Sequence, residues 1–209
     1  MALFITFEGG EGCGKSTQAR ALYRRVSASS IPVILTHEPG GTPFGEQARR
    51  SLKRISSSPL SPLAELFLVA ASRVQLVEEV IRPSLEANTM VICDRYTDST
   101  LAYQGYGRGI DLDTIQAVND TATRGLSSDL VILLDVPVEI GLARKGSARQ
   151  DRFEREGLAF HQRVREGYLK MAGADPGRWL VIDGALSKRE IQSRIRERIE
   201  IMLRRENGK

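Results

Sequence analysis

A strand, a glycine loop and a helix are written in succession between Leu3 and Leu22, and nothing else in the chain restricts the fold as much. The apolar run Leu3-Phe4-Ile5-Thr6-Phe7 predicts a buried strand, and Gln18-Ala19-Arg20-Ala21-Leu22 opens an expected helix. Between them lies Gly9-Gly10-Glu11-Gly12-Cys13-Gly14-Lys15-Ser16-Thr17, which fits the phosphate-loop pattern of two spaced glycines followed by Lys and Ser. Its glycines let backbone N–H groups turn inward, and the helix N-terminus adds a partial positive charge. Lys15 is then placed to reach the β- and γ-phosphates of a nucleotide, and Ser16 to help hold Mg²⁺. The bland alternative, a glycine-rich turn, has to explain why strand, loop and helix all agree.

Five short apolar runs read as buried parallel strands: Leu3–Phe7, Val33–Thr36, Met90–Cys93, Leu130–Asp135 and Trp179–Ile182. Amphipathic stretches alternate with them: Leu63–Glu86 with Pro83 near its end, Asp113–Arg124, Pro137–Arg144, Phe153–Ala172 and Ser187–Arg205. That alternation calls for an α/β fold of three layers, a five-stranded parallel sheet flanked by helices. In such sheets the site lies at the carboxyl ends of the strands, where Glu11, Glu38, Asp94-Arg95 and Asp183 also fall. The 209 residues, 41% of them hydrophobic, suit one domain spanning 1–209 with a pliable segment at about 145–152.

Several function classes drop out. No apolar run approaches the ~20 residues needed to cross a bilayer, and the N-terminus lacks the pattern of a signal peptide. Two cysteines, Cys13 and Cys93, do not suggest a disulfide framework, so a cytoplasmic setting with reduced thiols is expected. The formal charge of +4 hints at a polyanion partner. Much of the excess lies in Arg144–Arg155 and Lys188–Arg205, with Phe153 the single aromatic among them rather than a series of stacking platforms, and the second segment alternates with apolar residues at helical spacing. Solvated faces are expected there, with neither nucleic acid nor membrane as partner.

A phosphate loop alone says only that a nucleotide binds. No Asn-Lys-x-Asp guanine reader occurs and no Asp-x-x-Gly switch follows the second strand, which weighs against a GTPase. Instead Asp94-Arg95-Tyr96 stands directly after the third strand, followed by Thr97 through Gly105. An arginine at that strand end faces the phosphate loop and can clamp a second phosphate group bidentately. A structural Asp-Arg ion pair is the competing reading.

These residues carry a family resemblance. Phe7-Glu8-Gly9 before the loop, Glu38-Pro39-Gly40-Gly41-Thr42-Pro43, Asp94-Arg95-Tyr96 through Tyr103-Gln104-Gly105, Ala71-Ser72-Arg73 and Asp151-Arg152-Phe153-Glu154 together resemble the thymidylate kinases. The resemblance covers nearly the whole chain. It implies the P-loop nucleoside-monophosphate-kinase fold, transfer of the γ-phosphoryl group of MgATP to dTMP, and a homodimer built on helices packed side by side. It implies, residue by residue, that Glu11 contacts the sugar 3′-hydroxyl and Arg73 the carbonyl edge of thymine. Arg49 and Arg95 would grip the dTMP phosphate, with Glu38 and Pro39 beside them, and Thr100 and Gln104 would touch the base. Tyr103 would crowd the sugar 2′ position. On the donor side Gly9 to Thr17 would cradle the phosphates, Arg144 would pack on adenine, and Asp183-Gly184-Ala185 would close its other side. The catalytic groups so implied are Lys15, Arg95 and Arg149, with Ser16 and Asp94 as candidate Mg²⁺ ligands.

The chemistry agrees with that assignment. Phosphoryl transfer between phosphates needs positioning and positive charge. It needs no dedicated base, because the acceptor phosphate (second pKa ~6) is already mostly dianionic. The two histidines, His37 and His161, therefore read as structural or exposed. The phosphate loop itself offers only Lys15, so a further arginine is expected from Arg144-Lys145-Gly146-Ser147-Ala148-Arg149-Gln150-Asp151-Arg152, a lid as in bacterial members of the family. Arg149 is the candidate; Arg152 has Asp151 and Glu154 as possible structural partners. Two positions depart from the family pattern: Val69 stands where a phenylalanine usually stacks on thymine, and His37 where arginine is common. The rivals are a kinase for another nucleoside monophosphate or a deoxynucleoside, and an ATP-binding switch module that transfers nothing.

Overall fold

Apolar runs become strands of a parallel sheet when both its faces are covered, and all five expected runs form strands here, three of them central. The computed structural model describes residues 2–56, 60–146 and 151–207. Strand β1 (Phe4–Glu8) leads through the glycine loop into helix α1 (Lys15–Ala28), and β2 (Val33–His37) into α2 (Pro43–Lys53). Helix α3 (Pro62–Leu76) continues through a π-helical turn, Val77–Ile81, into the short α4 (Arg82–Glu86). Then come β3 (Met90–Asp94), α5 (Thr97–Thr100) with a π-helical extension Leu101–Gly107, and α6 (Leu112–Thr123). The chain ends with β4 (Leu130–Asp135), α7 (Val138–Lys145), α8 (Leu158–Ala174), β5 (Trp179–Asp183) and α9 (Lys188–Asn207).

The sheet runs β2-β3-β1-β4-β5 with every pairing parallel. Chain direction from β1 switches to opposite sides for β3 and β4, so the crevice opens over the carboxyl end of β1, where the glycine loop begins. One face buries Ile5, Phe7, Ile92, Ile132 and Leu134 with Leu22 of α1 and Ile191, Ile195 and Ile199 of α9. On the other face Val131, Leu133, Phe160, Val164 and Tyr168 form one cluster, and Phe4, Val91, Leu76, Ile81 and Tyr96 another. No helix among the described residues is long and apolar enough to cross a membrane.

Helix α5 with its extension was not among the expected helices, and three further departures each have a local reason. Helix α2 was not read from the pattern, yet Thr42 caps it by accepting from the Gly45 N–H at 3.0 Å, and Pro43 occupies its first turn. The expected helix Leu63–Glu86 breaks into α3, a π turn and α4; Pro83, which cannot donate into a helix, sits in the first turn of α4. The helix expected from Phe153 begins at Leu158, because Asp151 Oδ1 accepts from the backbone N–H groups of Phe153 and Glu154 and holds 151–156 as a turn.

Candidate active site

The glycine loop is fixed by what packs against it. Gly12 has φ +66° and faces the backbone of Gly141 in α7 so closely that a Cβ on either would strike the other segment. Two glycines thereby seat α7 against the loop. Lys15 is buried, its Nζ donating to the carbonyls of Gly9 at 2.9 Å and Gly10 at 2.6 Å. Ser16 donates its hydroxyl to Asp94 Oδ2, so the two candidate metal ligands are adjacent at the cavity mouth.

Arg95, just past β3, holds the centre. Its φ of +75° is a left-handed conformation that non-glycine residues rarely adopt. The strain is outweighed by its bonds: the backbone N–H donates to Phe7 O at 3.0 Å, and both guanidinium ends are occupied. Nη1 donates to Gly9 O, Ser99 Oγ and Tyr168 OH, each at 3.2 Å. Nη2 donates to Glu11 Oε1 at 2.7 Å and Tyr103 OH at 2.9 Å, with the guanidinium 4.7 Å from the Tyr103 ring centroid. Burial works against ionisation of Glu11, but the charges of Arg95 and Lys15 overcome it and hold the carboxyl far below the usual range. Glu8, beneath Arg95, goes the other way. Burial, aided by the nearby Asp98, raises its carboxyl to about 7, while Oε2 accepts from Ser99 at 2.6 Å and Tyr168 at 2.8 Å.

Across the cavity α3 presents a second arginine. Arg73 is 1% exposed. Its Nε donates to Glu38 Oε2 at 2.8 Å, Nη1 to Asn119 Oδ1 at 2.6 Å, and Nη2 to Thr100 Oγ1 at 2.9 Å and Tyr96 O at 3.1 Å. Arg49 of α2 donates to Pro39 O at 2.8 Å. Asp151 and Arg152 close this end. Lys53 pairs with Asp151 at 2.7 Å, and Arg152 bonds Leu52 O at 2.9 Å and Glu65 at 2.6 Å. Arg152 thus takes Glu65 as its partner, not Asp151 or Glu154.

A cavity of about 610 Å³ unites these groups. Glu11, Gly12, Gly14, Lys15, Ser16, Thr17, Asp94, Arg95 and Arg144 line it with Glu38, Pro39, Arg49, Arg73, Thr100, Tyr103 and Gln104. Gly9 and Gly10 instead hold Lys15 from behind, and Cys13 is buried with its sulfur 3.4 Å from the same ammonium. Asp183, Gly184 and Ala185 do not line the cavity; Gly184 O joins the site by accepting from Arg144 Nη1 at 3.1 Å. Arg149 lies outside the described residues. The chain matches the Thymidylate kinase family model over residues 7–195. The chain belongs to the thymidylate kinase family.

Individual relatives agree. A thymidylate kinase of Dehalococcoides mccartyi is 53% identical over 204 residues, covering 98% of this chain and 99% of its own. One of Geotalea daltonii is 52% identical over 192 residues, covering 88% and 90%. The crystal structure of thymidylate kinase from Ehrlichia chaffeensis superposes with a TM-score of 0.78 at 34% identity, covering 95% of this chain and 98% of that one. The five-stranded parallel sheet between helices is that family's fold.

Within this family frame the structure adds residues that sequence reasoning did not assign. Glu8, Ser99 and Tyr168 hold Arg95 from below; Asn119 holds Arg73; Glu65 gathers Gln104, Arg108 and Arg152. The one signal available was an acid inside an apolar run, Glu8 in Leu3–Gly9 and Glu65 in Leu63–Ala71, which predicts a buried carboxylate in need of partners. Their partners are distant in sequence and leave no spacing to read.

Proposed function

We infer that this thymidylate kinase family member transfers the γ-phosphoryl group of ATP to dTMP, giving dTDP and ADP. The observation that carries the reading is Arg95, which stands between the phosphate loop and the wall of Arg73, Thr100 and Gln104, in contact with Gly9 and Glu11 on one side and Tyr103 on the other. A guanidinium there can hold an acceptor phosphate in line with a nucleotide seated on Lys15 and the α1 N-terminus. Lys15 and Arg95 are the catalytic groups within the described residues, and Arg149 of the lid at 145–152 is the third. Glu11 meets the sugar, with Tyr103 beside it, while Arg49 supports the acceptor phosphate near Glu38 and Pro39. Arg144, backed by Gly184 O, lies against the donor base, with Asp183 and Ala185 at its rim.

Ser16 and Asp94 offer the hydroxyl and carboxylate oxygens that suit Mg²⁺, a hard ion that keeps several waters and takes its remaining ligands from phosphates. Such an ion supplies charge neutralisation of the β- and γ-oxygens. A second copy of the chain is a further partner: Leu63, Phe67 and Val74 leave an apolar stripe on the outer side of α3, with exposures of 49%, 55% and 37%. Two buried, unpaired thiols, Cys13 and Cys93, favour a reducing compartment such as the cytoplasm.

The test is a coupled ADP-release assay with MgATP against dTMP, dUMP, UMP, CMP, AMP and GMP. Turnover with dTMP well above every other acceptor is expected. Preference for a different monophosphate moves the base assignment, and ATP binding without turnover removes the kinase reading altogether.

A further inference from the structure

A buried carboxylate on α3 sets which hydrogen-bonding groups the acceptor wall can show. Glu65 is 0% exposed and accepts from Gln104 Nε2 at 2.6 Å, Arg152 Nη2 at 2.6 Å, and Arg108 Nη2 at 3.2 Å and Nε at 3.4 Å. A carboxylate between two guanidiniums accepts hydrogen bonds and has none to give. The Gln104 amide must therefore turn its NH₂ group toward Glu65, which leaves Oε1, an acceptor, as its other end. Gln104 lines the cavity, and no described residue donates to that oxygen. Thr100, four residues earlier on the same wall, follows the same logic with opposite sign. Its Oγ1 accepts from Arg73 Nη2 at 2.9 Å; since a guanidinium only donates, the Thr100 hydroxyl hydrogen is left to be given.

An acceptor beside a donor complements an imide edge, where a ring N–H adjoins a carbonyl, as in thymine and uracil. It opposes cytosine, whose exocyclic amine donates where thymine's carbonyl accepts. We propose that Glu65 is a specificity-determining positioning residue: by pinning the Gln104 amide it makes the wall select imide bases and reject cytosine. The inference rests on the reading of this cavity as the nucleoside-monophosphate site. Rejection works through burial, because cytosine would set acceptor against acceptor where water cannot intervene. Arg108 and Arg152 keep Glu65 an acceptor, so the selectivity reaches back to the turn that follows the lid.

The test titrates dTMP and dCMP calorimetrically into wild type, Glu65→Gln and Gln104→Met, without ATP, beside kcat and KM for both nucleotides. Gln104→Met keeps the side-chain volume and removes the acceptor. The dTMP affinity of that variant should fall about ten- to hundredfold while dCMP affinity does not fall, the size expected for one buried unpaired group. In Glu65→Gln the new amide can donate or accept, so Gln104 can turn over; the dTMP:dCMP ratio should drop about tenfold or more, through KM for dTMP more than through kcat. A folded Glu65→Gln with an unchanged ratio overturns the role of Glu65. Equal losses for both nucleotides in Gln104→Met overturn the polarity of the wall, and that variant decides the question if Glu65→Gln does not fold. Wild type that binds dTMP without phosphorylating it removes the proposed activity and leaves this inference to the binding ratio; wild type that binds dCMP as well as dTMP removes this inference and leaves the activity.

Discussion

The two ends of the cavity are built differently. At the acceptor end the polar groups are buried and committed to one another: Arg73 and Glu38 are both nearly inaccessible, and Asn119 and Thr100 complete the set. At the donor end Lys15 is held by carbonyls of its own loop, Ser16 by Asp94, and Arg144 by a single carbonyl. Phosphate oxygens can replace such partners one for one, whereas the acceptor network cannot be exchanged without leaving a charge unpaired. On the function proposed above, a base would be read by a rigid wall, and a triphosphate by groups that change partners. Rigid placement serves discrimination; exchangeable donors serve charge that develops and moves during transfer.

That contrast predicts opposite phenotypes for single substitutions. Arg149→Ala should give the largest kinetic effect, a kcat lower by about 10³-fold or more, as for other delivered arginines. Its dTMP affinity measured by titration should stay at the wild-type value. An unchanged kcat would sink the lid assignment. Lys15→Ala should lower kcat by about 10²–10³ with little change in Tm, since its partners are backbone carbonyls that water can satisfy. Arg73→Ala should do the reverse. It strands the Glu38 carboxylate in a site where burial already raises its pKa, and breaking such a pair costs about 3–5 kcal/mol. For a domain of this size that corresponds to a Tm lower by roughly 10 °C, readable by calorimetry. A Tm-neutral Arg73→Ala would show that the acceptor wall is no more rigid than the donor loop.

The boundary between the two ends has its own signature in pH. Glu8 lies under Arg95, with its pKa raised by burial and by Asp98 from an ordinary 4.5 to about 7. The charged and titratable groups around it include Asp98, Arg95 and Tyr168, with Arg73 and Cys93 further off and Ser99 and the Tyr96 N–H as further hydrogen-bond donors. A carboxyl raised in the folded state favours folding fully below the unfolded pKa, and that contribution is lost as pH rises through the folded value. Glu11 is depressed by Arg95 and Lys15 despite burial, so its contribution is present at neutral pH and lost as pH falls below the ordinary carboxylate range. Between pH 5 and 8 the Tm of wild type should therefore fall relative to Glu8→Gln by several degrees. Parallel Tm curves for the two proteins would show that Glu8 does not titrate in that window.

Legibility in the sequence followed the same division. The donor loop is contiguous, so Gly9 to Thr17 could be read from spacing, and the five strands from apolar runs that two covered faces require. The acceptor wall comes from α2, α3 and the segment after β3, and only resemblance pointed to Arg73, Thr100 and Gln104. What ties them, the 35-residue step from Glu38 to Arg73 or the 87-residue step from Glu65 to Arg152, has no period. Helix α2 was missed because it is short and two of its three buried positions, Gly45 and Ala48, are small, although with Leu52 they fall at helical spacing and Thr42-Pro43 is a fair start signal. The helix expected from Phe153 overran the turn that Asp151 holds.

Phe153, placed by that turn, is where the two ends meet and where the smallest effect is expected. Val69, on α3 one turn beyond Glu65, lines the cavity with an aliphatic side chain and only 8% exposure. Of the aromatic rings lining the cavity, Tyr96 is 0% and Tyr103 6% exposed. Phe153 alone among the described lining phenyl and phenol rings is half-buried, with Arg152 4.7 Å from its centroid and Tyr103 meeting it edge-on at 5.9 Å. It can therefore supply flat apolar surface beside the base that Val69 does not. Phe153→Ala should weaken dTMP binding about tenfold, the scale of one aromatic contact, with ATP affinity unchanged. Adding Val69→Phe to that variant should recover most of the loss, since a ring on α3 would face the same space. If instead kcat falls while dTMP binding holds, Phe153 serves the lid and the donor end, and the division between a rigid acceptor wall and an exchangeable donor side stops one residue earlier, at the Arg152–Glu65 pair.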